Sequence, residues 1–205
     1  MSFQRGDHIC ALYATRAELA RTVAEFLAEG LERNERCWYV GIGEEMPEVQ
    51  RELQKLGVDV GHELGRNALQ LTWGSAAYVV HGTFNAEATM GVFNDAIEHA
   101  HREGFTGLRA AAEMSWLLDC ENGASEVIVY EALLKSLFEN SRATGLCLYH
   151  RDRMPLQVIN GALETHPLAG TRGRYRRNPF YDPQTTQLGP ADDAQVKARL
   201  AQLED

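Results

Sequence analysis

Residues 37–47 read CWYVGIGEEMP, a short apolar run followed by a glycine loop and a proline that suits the first turn of a helix. This strand, loop and helix order is typical of the phosphate-binding loops of nucleotide enzymes. Such a loop supplies a lysine to the phosphates and a hydroxyl to magnesium, whereas Glu44 and Glu45 would repel a phosphate. We expect these two acids to stabilise the following helix through its dipole, and the loop to face a ligand other than a phosphate.

The composition predicts a single soluble domain. The chain has 205 residues, of which 44% are hydrophobic, and this is enough for one sizeable core. We assign residues 1–183 to that domain and residues 184–205 to a C-terminal tail with a short peripheral helix. Because no apolar run is long enough to span a bilayer and none follows the N-terminus, we expect a cytoplasmic protein without a membrane partner.

Charge and cysteine content exclude two further classes. There are 29 acidic and 20 basic residues, and the net charge of −9 argues against direct binding to nucleic acid. Four widely spaced cysteines argue against a disulfide framework. The arginines cluster at positions 172, 174, 176 and 177, where they either hold an anion or form a solvated segment paired with the acidic body.

Helical and strand patterns alternate along the chain. Strands are predicted at 37–40, 69–73, 107–114 and 146–149. A capping box at Thr15 begins the first helix, Pro47 the second and Asn85 the third, while Ser125 is the predicted cap of a helix that runs to Asn140. A last core helix follows Pro155 and stops before residue 166. This alternation predicts a three-layer α/β fold, with a mostly parallel sheet covered by helices on both faces.

Ligands of open parallel sheets bind beyond the carboxyl ends of the strands. That rule selects four places, at residues 41–45, 73–75, 113–116 and 149–151. Glu113 ends a small, apolar strand and is expected either to accept a hydrogen bond from a ligand or a neighbouring residue, or to be a structural carboxylate that pairs with Arg109 or a backbone N–H. Trp73 and Trp116 either form an apolar wall for a small molecule or belong to the core.

A second candidate site lies near the N-terminus. A strand would place His8 and Cys10 on the same face, where they form either a buried pair or a ligand-contacting or redox site. With Cys147 they are the candidates for a metal site, although the Cys and His spacing is not that of a known zinc motif, and we predict neither metal nor cofactor. Nucleophilic catalysis by Cys10 with His8 or His166 is a weaker alternative. The pair Tyr130-Glu131 is interpreted as a partly buried tyrosine beside a solvated acid.

Six short motifs, taken in order, resemble the MEDS family, the methanogen/methylotroph DcmR sensory domain. They are residues 7–10 with Tyr13, residues 37–41, 112–116, 130–131, 146–149 and 163–167, and the trailing residues 177–181 also look familial. The resemblance implies a sensor related in fold to RecA/KaiC-type domains but without their phosphate loop, recognising small hydrocarbon-type molecules. The positions matched by the motifs are His8, Cys10, Glu113, Trp116, Cys147, Tyr149 and His166.

The sequence thus predicts a non-enzymatic sensor that binds a small, largely apolar organic molecule. The expected ligand-binding set is the seven matched positions together with Trp73. In related proteins the domain accompanies DNA-binding or kinase modules, and residues 184–205 are too few for such a module, so we expect signalling through a separate regulatory protein, such as a kinase or a transcription regulator, or through self-association. Two alternatives stay open, a degenerate nucleotide-binding or hydrolytic enzyme using Glu113 and a ligand-free interaction module.

Overall fold

The computed structural model describes residues 3–74, 79–80 and 83–204, and its centre is a seven-stranded sheet. In chain order the strands are β1 (His8–Tyr13), β2 (Arg36–Gly41), β3 (Leu69–Trp73), β4 (Val79–Val80), β5 (Thr83–Phe84), β6 (Leu108–Glu113), β7 (Ala143–His150), β8 (Leu168–Thr171) and β9 (Arg174–Arg177). The sheet order is β3-β2-β6-β7-β1-β8-β9, with β4 and β5 forming a separate antiparallel ribbon. The strands of the sheet are parallel except for β9, which runs antiparallel to β8.

Helices cover both faces of this sheet. They are α1 (Arg16–Glu32), α2 (Met46–Lys55), α3 (Val60–Gly65), α4 (Ala86–Arg102), α5 (Gly123–Glu139), α6 (Leu156–Thr165) and α7 (Asp193–Glu204), with a 3-10 turn at Ser115–Asp119. The first three helices pack on one face and the last four on the other, so that two apolar clusters sandwich the sheet. The predicted three-layer α/β class is confirmed, because strands buried on both faces need a helical layer on each side.

Local signals explain where several elements begin. The Thr15 side chain accepts the Glu18 N–H at 3.2 Å, and the Glu18 carboxylate accepts the Ala14 N–H at 3.0 Å, so a reciprocal cap starts α1. Asn85 caps α4 in the same way, through the N–H of Ala88 at 2.8 Å. These two helix starts follow the sequence prediction.

The predicted N-cap of α5 is wrong by three residues, because the N-cap is Asn122 and not Ser125. The helix begins at Gly123, and Ser125 lies inside its first turn, where its hydroxyl donates back to the Asn122 carbonyl. The reason is a close approach to the preceding 3-10 turn, since a Cβ at Gly123 would lie 1.9 Å from the Leu117 carbonyl oxygen. A glycine lets the helix start against the 3-10 turn, and propensity alone does not reveal that approach.

The arginine cluster forms a strand that the sequence did not predict. Residues 174–177 make β9, which pairs with the equally unpredicted β8 at the edge of the sheet. Arg174 donates to the carbonyl of Glu204 at 2.8 Å, and Arg176 donates to that of Gln202. The two arginines therefore bind the carboxyl end of α7, where unpaired carbonyls concentrate negative charge.

The predicted C-terminal helix is present and packs on the body. Val196 and Leu203 of α7 are buried in the same apolar cluster as α5 and α6. Among the described residues, no helix combines the length and apolarity that a bilayer crossing requires.

Candidate functional site

The predicted site residues separate into two groups on opposite faces of the sheet. On the face covered by α5 and α6, four buried side chains converge, and we refer to them as the buried polar cluster: His8, Glu131, Cys147 and His166. Their donor atoms all lie within 4.8 Å of one another. Strand β1 contributes the first residue, α5 the second, β7 the third, and the fourth follows α6 directly. The fold therefore brings His8 together with residues more than a hundred positions later in the chain.

Glu131 is the centre of the buried polar cluster. One of its carboxylate oxygens, Oε2, lies 3.1 Å from Nε2 of His8, 3.3 Å from Nε2 of His166 and 3.5 Å from Sγ of Cys147. The other oxygen accepts a hydrogen bond from the Tyr149 hydroxyl. The Cys147 sulfur is also 3.5 Å from Nε2 of His8. All these side chains are at most 3% exposed, so the described part of the chain shields the cluster from solvent.

Burial and mutual charge set the protonation of this cluster. Burial, followed by the nearby His166, lowers the pKa of His8 to about 4 despite the attraction of Glu131. Burial alone would raise the pKa of Glu131, but the charge and hydrogen bond of His166, with those of His8, outweigh it and lower that pKa. Burial and the Glu131 carboxylate raise the pKa of Cys147 well above its usual value. When no metal ion is bound, Cys147 is therefore a neutral thiol.

Cys10 lies beside the cluster without joining it. It is the strand neighbour of Cys147 across the β1–β7 pair and is fully buried. Burial and then the Glu131 charge raise the pKa of its thiol well above the usual value. A neutral thiol is a poor nucleophile, which disfavours catalysis by Cys10 with His8 or His166.

The second group lies at the carboxyl ends of the strands, on the face covered by α1 and α2. Glu113 accepts hydrogen bonds from the Tyr13 hydroxyl at 2.6 Å and from the Ser115 hydroxyl and N–H at 2.6 and 3.0 Å. Of the two structural partners considered for Glu113, the backbone N–H is present, that of Ser115, whereas Arg109 contacts Glu35 at 2.5 Å near the other end of the strand. Burial raises the pKa of Glu113, and the hydrogen bonds from Ser115 and Tyr13 oppose that rise.

The glycine loop at residues 41–45 is held by its own acid. The Glu45 carboxylate accepts the Ile42 N–H and the Tyr39 hydroxyl, each at 2.8 Å, and Gly41 leaves room for it because a Cβ there would meet the carboxylate at 2.0 Å. Glu45 occupies the N-cap position of α2 but makes no side-chain capping bond. Glu44 forms an exposed ion pair with Arg16 at 2.6 Å. Glu45 thus stands at the helix end where its charge was expected to act on the dipole, but its hydrogen bonds close the loop, and Glu44 forms a surface ion pair.

A small cavity of about 210 Å³ lies above this network, at the carboxyl ends of β1, β2 and β7. Its lining comprises Tyr13, Arg16, Leu19, Ile42, Glu44, Glu45, His150 and Arg153. A wider cleft of about 590 Å³ lies on the other side of α1 and includes Arg21, Arg151 and Arg172. The smaller cavity joins two of the four places selected by the strand-end rule, residues 41–45 and 149–151.

The two predicted tryptophans do not form a wall together. Trp116 is 3% exposed and packs edge-on against Phe84 at 5.1 Å, so it belongs to the core, whereas Trp73 is 65% exposed and lies over Gly43. Neither ring lines the 210 Å³ cavity. Ser75, which completes the second predicted place at residues 73–75, lies outside the described residues.

Glu131 is the residue that the sequence analysis missed. The interpretation of Tyr130 and Glu131 as partly buried and solvated is wrong, since their exposures are 2% and 0%. A signal for burial was present, because Glu131 lies four residues after Val127 and three before Leu134, on the apolar stripe of α5. An acid on such a stripe needs buried partners.

Comparison with known proteins identifies a family and a solved structure of similar fold. The family model described as MEDS, the methanogen/methylotroph, DcmR sensory domain, matches residues 7–167. A crystal structure of a KaiC-like protein from the hyperthermophilic archaeon Pyrococcus horikoshii OT3 is similar in fold, with a TM-score of 0.58 and 14% identity over 82% of this chain and 72% of that chain. No curated protein matches the sequence.

Proposed function

Because the chain belongs to the MEDS family of sensory domains, we propose that it is a non-enzymatic sensor that binds a small organic molecule in the 210 Å³ cavity. The observation that carries this proposal is the position of the cavity. It lies at the carboxyl ends of three parallel strands, where α/β folds bind their ligands. The chain keeps a RecA-type fold there without a phosphate loop.

The lining of the cavity favours a small ligand with an apolar body and one polar group. Leu19, Ile42 and the ring of Tyr13 provide apolar contacts, while Arg16 and Arg153 provide positive charge at the edge. A volume of about 210 Å³ is below the range of drug-sized pockets, which start at about 300 Å³. We therefore propose a molecule of a few heavy atoms, in agreement with the largely apolar ligand expected from the sequence.

The state of Glu113 supports binding without catalysis. A hydrolytic acid would have to orient water or hold magnesium, but the Glu113 oxygens already accept hydrogen bonds from Tyr13 and Ser115. The acids of the neighbouring loop add negative charge, which disfavours a nucleotide phosphate. The degenerate hydrolase remains the competing hypothesis, and it requires Mg-ATP turnover that Glu113→Gln abolishes.

We propose that the signal leaves through the loop between β2 and α2. Its Glu44 is tied to Arg16 of α1 only by an exposed ion pair, and both side chains line the cavity. A ligand that engages Arg16 would release Glu44 and shift this loop at the surface. The moved surface would then change association with a separate regulatory protein or with a second copy of the chain.

Ligand-observed NMR with methanol, 1-butanol and butyrate as probes tests the proposal. We expect at least one probe to bind the parent protein and to lose binding in Ile42→Trp, because the larger ring fills the cavity at a position that is 39% exposed. Leu56→Trp is the matched control, since Leu56 is 50% exposed and lies outside the cavity. Equal binding by both variants, or Mg-ATP turnover by the parent protein, would contradict the proposal.

A further inference from the structure

The buried polar cluster is not used by the proposed function, because it lies on the opposite face of the sheet from the cavity. We propose that the cluster is a four-coordinate site for one transition-metal ion of the zinc class. Its ligands are Nε2 of His8, Oε2 of Glu131, Sγ of Cys147 and Nε2 of His166.

The distances between the donor atoms support this assignment. A tetrahedral zinc ion with its usual bonds to sulfur, nitrogen and oxygen holds those atoms about 3.3 to 3.6 Å from one another. The carboxylate oxygen of Glu131 lies 3.1 and 3.3 Å from the two imidazole nitrogens and 3.5 Å from the Cys147 sulfur. The distance from that sulfur to Nε2 of His8 is also 3.5 Å. Four of the six distances among the donors are therefore close to the edges of a zinc tetrahedron, and the other two do not exceed 4.8 Å.

A hydrogen bond at Nδ1 of His166 directs the other ring nitrogen, Nε2, toward the centre of the cluster. Nδ1 of His166 lies 2.7 Å from the Ala162 carbonyl, which can only accept, so Nδ1 carries the proton. Nε2 is fully buried and faces the Glu131 carboxylate at 3.3 Å, a contact that is favourable only when a cation, either a proton or a metal ion, lies between the two atoms. A metal ion supplies that cation and binds both groups.

A second contact orients the carboxylate in the same way. The Tyr149 hydroxyl donates to Oε1 of Glu131, which leaves Oε2 directed at the two histidines and Cys147. Hydrogen bonds of this kind commonly fix metal ligands and raise their affinity. Tyr149 is thus assigned as a positioning residue rather than a ligand.

The donor set selects the class of metal. A thiolate with two imidazoles favours zinc and related ions over magnesium or calcium, which prefer oxygen ligands. Because all four ligands come from the protein and are at most 3% exposed, the site is closed and therefore structural rather than catalytic. The ion would join β1, β7 and α5 to the residue that ends α6. On binding, the Cys147 thiol releases its proton to solvent and the thiolate bonds to the metal.

Metal analysis of the full chain tests this inference. Protein produced with added zinc and purified without chelators should contain about one zinc ion per chain by mass spectrometry. After exchange with Co²⁺, the spectrum should show tetrahedral bands and a sulfur-to-cobalt charge-transfer band, which requires a cysteine ligand. Cys147→Ser should remove the charge-transfer band.

The matched control is Cys10→Ser, because Cys10 is equally buried on the neighbouring strand and is not a ligand. It should keep both the zinc and the charge-transfer band. Tyr149→Phe should weaken zinc binding about 10- to 100-fold in a chelator competition while the circular dichroism spectrum stays unchanged.

Two results would overturn the inference. The first is parent protein that stays free of stoichiometric metal even after zinc or cobalt is added to the folded chain. This is also the result expected if a proton alone lies between His166 and Glu131. The second is a charge-transfer band that survives in Cys147→Ser.

Discussion

Glu113 illustrates how a single residue keeps its place at a strand end while its role is set by neighbours. The sequence identified it as an acid at the carboxyl edge of the sheet. In the structure its carboxylate oxygens accept hydrogen bonds from Tyr13 and Ser115. Its pKa is raised above the usual value of 4.5 by burial. The folded protein therefore retains the Glu113 proton to a higher pH than the unfolded chain. The stability from this group is present below pH 4.5 and is lost as the pH rises through its folded pKa.

The Tyr13→Phe variant tests this arrangement. The Tyr13 hydroxyl stabilises the ionised carboxylate, so its removal should raise the pKa of Glu113 further. A carboxyl-carbon NMR titration of Glu113 measures the shift. Tyr39→Phe is the control, since that hydroxyl donates to Glu45 instead. A Glu113 pKa that falls or stays constant in Tyr13→Phe would contradict the assignment.

At the scale of elements, local signals predicted most helices and central strands, and contacts between neighbouring elements decided the exceptions. The helix α1 starts at its predicted cap because Thr15 satisfies a backbone N–H within its own turn. The helix α5 starts at Gly123 because of the close Leu117 carbonyl, a contact that no local pattern encodes. Strand β9, made of RYRR, has no apolar alternation. It forms because its backbone pairs with β8 and its arginine side chains donate to carbonyls at the end of α7.

Substitutions of Thr15 and Ser125 test the starts of α1 and α5. Thr15→Ala should lower the free energy of unfolding by about 1 kcal/mol, because the cap of α1 is lost. Ser125→Ala should change it by less than about 0.5 kcal/mol, because Ser125 caps nothing and is exposed. Urea titrations measure both values. A larger loss for Ser125→Ala than for Thr15→Ala would show that the cap positions are reversed.

At the scale of the whole molecule, a buried arginine holds one helical layer to the sheet. Arg109 of β6 is fully buried and contacts Glu35 at 2.5 Å and Glu29 of α1 at 3.0 Å. Its guanidinium also lies 4.8 Å from the centre of the Phe26 ring. Gly30 of α1 makes room for it, since a Cβ there would meet the Arg109 side chain at 2.6 Å. A buried charge in this place requires charged partners, and these come from α1 and from the loop between α1 and β2.

Removal of that arginine should destabilise the fold strongly. Arg109→Ala leaves Glu35, which is 3% exposed, without its cation, and we expect a loss of about 3 to 5 kcal/mol in the free energy of unfolding. The control is Lys55→Ala, which breaks an ion pair whose lysine is 68% exposed and should cost less than about 1 kcal/mol. Chemical unfolding of both variants measures the difference. Equal losses would mean that burial adds nothing to the value of this pair.

The sequence by itself determined the α/β class, most helix and strand positions, the family, and the absence of a phosphate loop, because periodicity, caps and motifs are local properties. It also placed Glu113 at the strand ends, since a parallel sheet gathers those ends at one edge. Only the tertiary structure decided that His8, Glu131, Cys147 and His166 meet, because they come from elements whose register and crossing are set by packing. The same packing hid Trp116 in the core and left Trp73 at the surface. Strand and helix patterns define which face a side chain occupies, but sheet order defines its neighbours.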